Sequence, residues 1–191
     1  MLRKLSNLVV GGVIWLNNQR PEWNDGNNAL VGSGVSFVTL CYLRRYTQFF
    51  QSCLAACPQQ VDLTQALGDW LESSALILKE ITAELQDKPI TAEQRFNYLK
   101  ALGEAGSDYR ACVYPSGALE KKTFQRSTIE SLVCSALTLF DQTIAENQRG
   151  DGLYHTYNLL KTENQQASLS DLHPMLEGQV AILSAKALTP Q

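Results

Sequence analysis

Four long stretches of the chain repeat apolar residues three and four apart, and each is bounded by a residue pattern that starts or stops a helix. The clearest follows Asp62-x-x-Gln65, a capping-box pattern, and sets Leu67, Leu71, Ser74, Leu78, Ile81 and Leu85 on one helical face. Leu76 and Ile77 widen that face, and Asp87-Lys88-Pro89 stops it. The stretch 36–57 carries Phe37, Leu40, Cys41, Tyr46, Phe49, Phe50, Cys53 and Leu54 before Pro58, an apolar surface broad enough to predict burial on more than one side. Thr91-x-x-Gln94 opens a third helix through Phe96, Tyr98, Leu99 and Leu102. Gly103 and Gly106 weaken its middle, so a break near Gly106 is expected. The fourth, over 123–148, carries Ile129, Leu132, Val133, Ala136, Leu137, Phe140 and Ile144. Together these spans predict an all-α chain of antiparallel hairpins packed in sequence order, with a shorter helix from Pro174.

Chemistry concentrates in two loops. In Arg20-Pro21-Glu22-Trp23-Asn24-Asp25-Gly26-Asn27-Asn28, Trp23 offers a flat apolar face for a sugar ring. Asn24, Asn27 and Asn28 donate to and accept from hydroxyls, and Glu22 and Asp25 are carboxylates three apart around a turn at Gly26. A carboxylate beside an indole is held toward its protonated form, which suits Asp25 as a proton donor to a leaving group. Asn-Asp-Gly is equally a common turn sequence, so a plain Asx turn is the competing reading. The spacing of an EF-hand is absent. The second loop, Arg149-Gly150-Asp151-Gly152-Leu153-Tyr154-His155-Thr156-Tyr157-Asn158, offers Tyr154 and His155 as a sugar subsite on the same rim. Glu177 is the candidate second carboxylate, against surface placement as the commoner fate of a glutamate.

The run Glu22-Trp23-Asn24-Asp25-Gly26-x-Asn28 resembles the Asp-Trp-Asn-Asp-Gly-x-Asn motif of cellobiose- and chitobiose-phosphorylase-like enzymes, with Glu in place of the first Asp. Leu30-Val31-Gly32, Leu43-Arg44-Arg45-Tyr46 and Asp151-Gly152-Leu153-Tyr154-His155 are similar to segments of large bacterial proteins of that kind. The resemblance implies part of an (α/α)6 toroid, with Asp25 as general acid and an oligosaccharide or disaccharide as substrate. Inverting hydrolysis needs a second carboxylate about 6.5–9.5 Å from the first, whereas phosphorolysis substitutes inorganic phosphate as co-substrate. No organic cofactor is implied. The alternative is a non-catalytic helical scaffold or interaction module.

Composition narrows the field. With 191 residues, 45% hydrophobic and 18% charged, the chain has the makings of one ordinary core. Sixteen basic and nineteen acidic residues, net −3, argue against a nucleic-acid partner. Arg44-Arg45 and Lys121-Lys122 read as solvated faces. Five cysteines without a paired framework fit a reducing cytoplasm, and Cys53 and Cys57 lack the partners of a metal site. The run Leu8-Val9-Val10-Gly11-Gly12-Val13-Ile14-Trp15-Leu16 is too short to span a bilayer, which takes about 20 residues, and reads as a buried helix or extended segment. Thr162 to Asp171 reads as exposed polar chain. The closing Thr189-Pro190 is a helix-start signal with no helix after it, so 1–191 is expected to be a partial domain, an internal piece of a larger toroid.

Overall fold

The computed structural model describes residues 1–17, 28–85, 89–115 and 120–188. Its chain is mixed α and β, which overturns the all-α toroid. The elements run α1 (Leu2–Leu5), β1 (Leu8–Val9), β2 (Val13–Trp15), β3 (Gly34–Ser36), α2 (Phe37–Leu54), β4 (Gln60–Thr64), α3 (Gln65–Glu84), α4 (Ala92–Val113), β5 (Lys121–Gln125), α5 (Arg126–Glu146), β6 (Tyr157–Glu163), β7 (Gln166–Asp171) and α6 (Leu176–Ser184). A five-stranded antiparallel sheet is ordered β1-β2-β3-β6-β7. A two-stranded ribbon pairs β4 with β5.

The four long helices form where apolar periodicity places them, each shorter than expected by a few residues at its ends. Strands take up the difference. Asp62 belongs to β4 rather than to a capping box, and its Oδ1 accepts from Thr123 Oγ1 at 2.8 Å. The ribbon does the capping instead: Gln65 N–H donates to the Glu120 carbonyl at 2.7 Å, and Arg126 N–H to the Gln59 carbonyl at 2.9 Å. Each strand thus delivers the first orphan amide of its own helix to the neighbouring strand. At α4 the expected capping box is present, with Thr91 Oγ1 accepting from Gln94 N–H at 3.2 Å. Ser36 caps α2 through Thr39 N–H at 3.1 Å.

No break occurs at Gly106. That glycine is buried because a Cβ there would lie 2.5 Å from Ser6 Oγ, so the missing side chain lets α1 approach α4. The helices do not pack in sequence order either. Neighbours run α6-α2-α5-α3-α4, and the sheet lies against α2, α4 and α5 through β1, β2 and β7. Leu8, Val9, Val13, Ile14 and Val35 join Leu40, Leu78, Leu102, Leu132 and Phe140 in one core.

Strands β1 to β3 are buried on both faces save for Trp15. A strand covered on both sides shows a continuous apolar run with no alternation, which is why its sequence reads equally as a buried helix. Of the two readings of the run from Leu8, the extended one is correct. The apolar residues after Ala29 lead into β3. The polar segment ending at Asp171 is the β6–β7 hairpin, turned by Asn164 and Gln165 with φ of 51° and 61°.

Candidate functional site

Glu22, Trp23, Asn24, Asp25 and Asn27 lie outside the described residues, so the Trp-Asn-Asp loop contributes nothing to the geometry below. Asn28 is half-buried and has helical backbone. Among the described members of the expected sugar site, Tyr154 and His155 make contacts with other elements of the fold. Tyr154 is buried, its ring stacked on Phe37 with centroids 5.3 Å apart, and burial pushes its phenol up from the ordinary value. Its backbone N–H donates to Gln179 Oε1 at 3.0 Å, and Gln179 Nε2 donates back to its carbonyl at 2.8 Å. His155 Nε2 lies 3.6 Å from Asp171 Oδ2, tying the loop to β7. Asp151 closes the turn, accepting from Leu153 N–H at 3.1 Å and pairing with Arg149 at 2.9 Å. The Arg149 hydrogen bond holds the Asp151 carboxyl below the usual range. Glu177 is exposed in the first turn of α6, where the helix dipole favours an acid.

Apolar side chains left in solvent mark a different surface. On α2, Tyr42, Tyr46 and Phe49 form a stripe at i, i+4 and i+7 and are 51%, 50% and 65% exposed. On α6, Leu176, Val180 and Leu183 repeat the same spacing and are 75%, 56% and 70% exposed. The opposite face of α6 buries Gly178, Ala181 and Ile182, so this helix is apolar on nearly every side. Such a helix ordinarily sits inside a protein. The two helices pack together, and Arg45 Nη1 donates to Ser184 Oγ at 2.9 Å between the stripes.

Beside Tyr46 opens an apolar cavity of about 340 Å³, walled by Phe50, Leu63, Leu67, Leu71 and Leu132. The Tyr46 and Phe50 rings stack, 6.3 Å apart and within 3° of parallel. Arg3 stands at its edge. The periodicity predicts Tyr46 and Phe49 in the core together with Phe50, yet only Phe50 packs against it, because apolar periodicity does not say which of several apolar faces is covered. The excess breadth of the 36–57 stripe was the available signal.

Cys57 Sγ contacts the Cys53 carbonyl oxygen at 3.6 Å. Among the described residues, no group of three or more His, Cys, Asp and Glu is placed to hold a metal ion. No described helix is long and apolar enough to cross a membrane. No protein-family model and no curated protein sequence matches the chain.

Proposed function

We propose that the chain is a protein-interaction module whose α2–α6 face receives an amphipathic helix of a partner protein. The observation that carries this reading is the pair of exposed stripes, Tyr42-Tyr46-Phe49 and Leu176-Val180-Leu183, on two adjacent helices. Each of the six side chains belongs to a residue at least half exposed, a substantial contribution toward the ~800 Å² per side of a standard interface. Ridges at i, i+4 and i+7 on two packed helices suit a helix laid across them, and the cavity beside Tyr46 suits one bulky anchor side chain. Arg45 between the stripes and Arg3 at the cavity edge favour an acidic margin on that helix. Exposed thiols at Cys53 and Cys134 support a reducing compartment such as the cytoplasm.

The test uses a synthetic helix with leucines at i, i+3, i+4 and i+7 and glutamates along one edge, its binding followed by fluorescence anisotropy. Saturable binding is expected, weakened at least about tenfold by Tyr46→Lys or Leu183→Lys, which each place a charge in a desolvated contact. Equal binding by wild type and both variants would contradict the reading. Self-association of the wild type, abolished by the same variants, would reassign the face to a second copy.

A further inference from the structure

We propose that a second concavity, on the far side of α1, binds a small organic anion carrying a flat ring. It is a cleft of about 460 Å³ between α1, the end of β2 and one face of α4, within the size range of small-ligand pockets. Helix α4 supplies Phe96, Lys100, Gly103, Ser107 and Arg110, a single stripe stepping by four and three residues. Gly103 keeps the middle of that stripe low: a Cβ there would meet nothing nearer than the Ser6 carbonyl oxygen at 3.8 Å.

The walls divide by chemistry. Trp15 and Phe96 line it, and the Trp15 indole is fixed because its Nε1 donates to the Gly32 carbonyl at 3.0 Å. Around them stand three cations, Arg3, Lys100 and Arg110, against one acid, Glu104. Glu104 lies 3.9 Å from Lys100, while Arg110 Nη2 donates to Ser107 Oγ at 2.8 Å. In a protein of net charge −3, a cleft with this excess of cations is a local reversal of sign. Cations converging on a concavity focus their field there, and a guanidinium fork matches the oxygens of a phosphate or carboxylate. The fixed indole supplies the complementary flat surface.

Phenyl phosphate is the probe, with inorganic phosphate and phenol as the charge-only and ring-only controls. Binding is read from the Trp15 indole N–H resonance, assigned with Trp15→Phe. A saturable shift with phenyl phosphate is expected, with each control binding at least about tenfold more weakly. Lys100→Gln with Arg110→Gln should weaken phenyl phosphate by about tenfold or more, since both charge-assisted contacts are lost. Gly103→Leu fills the cleft and leaves its charges, and it should weaken binding as much. Absence of a saturable shift, equal binding of either control, or binding unchanged in both variants would overturn the proposal. Both variants alter exposed or open positions, and an unchanged thermal midpoint in each confirms that the fold is intact.

Discussion

Arg44 Nη1 donates to the Ala185 carbonyl at 2.8 Å, so a side chain from the middle of α2 caps the C-terminal end of α6. The same guanidinium pairs with Asp141 of α5. One buried cation therefore locks three helices and fixes the mutual placement of the two exposed stripes. Arg44→Met should lower stability by about 2–3 kcal/mol, since it leaves a helix-end carbonyl and a carboxylate without their donor. Arg44→Lys should recover only part of it, lacking the planar fork. Denaturant unfolding reads the loss, and amide exchange should quicken in α6 more than in α3.

Gly68 in α3 lies against Phe124 of β5, where a Cβ would sit 1.8 Å from the ring's Cζ. The ribbon reaches α3 only because that side chain is missing. Gly68→Ala should cost about 1–3 kcal/mol through overpacking, and the added change Phe124→Leu should return some of it. An alanine variant as stable as wild type would show that the ribbon does not press on α3.

Cys41 is buried on the inner face of α2, and burial pushes its thiol up to about 12 from the ordinary 9.0. The thiolate is disfavoured in the folded chain alone, so this contribution to stability is complete below pH 9.0 and declines as pH rises toward about 12. Stability of wild type should therefore fall more steeply over that window than stability of Cys41→Val. Parallel decline in the two proteins would remove Cys41 from the account. In native protein, a thiol reagent should modify the exposed Cys53, Cys112 and Cys134 quickly and Cys41 only on unfolding.

The legible part of the sequence was the part with a period. Leu71, Ser74, Leu78 and Ile81 announce α3 because one stripe is covered and the other side is wet. Val9, Val13, Ile14 and Val35 hide three strands because both of their faces are covered, and the period of two vanishes. The β6–β7 hairpin was hidden for another reason: Asn164-Gln165 adopts positive φ without the glycine that normally signals such a turn. Composition singles out Tyr154 and His155, but the contacts that hold them, Tyr154 on Phe37 and His155 facing Asp171, join separated parts of the chain and are not legible in it. The cleft stripe from Phe96 to Arg110 was concealed by its own makeup, since aromatic, basic and small residues on one helix face register with no apolar template.

The interaction face can be read directly by amide hydrogen exchange of the wild-type protein, with and without the saturating acidic amphipathic helix. Exchange should slow at the amides of α6 and along the α2 turn that carries Tyr42, Tyr46 and Phe49, while the β6–β7 hairpin keeps its free-state rates. Protection confined to other elements, or none at all under saturating peptide, would contradict the assignment of the α2–α6 face as the docking surface.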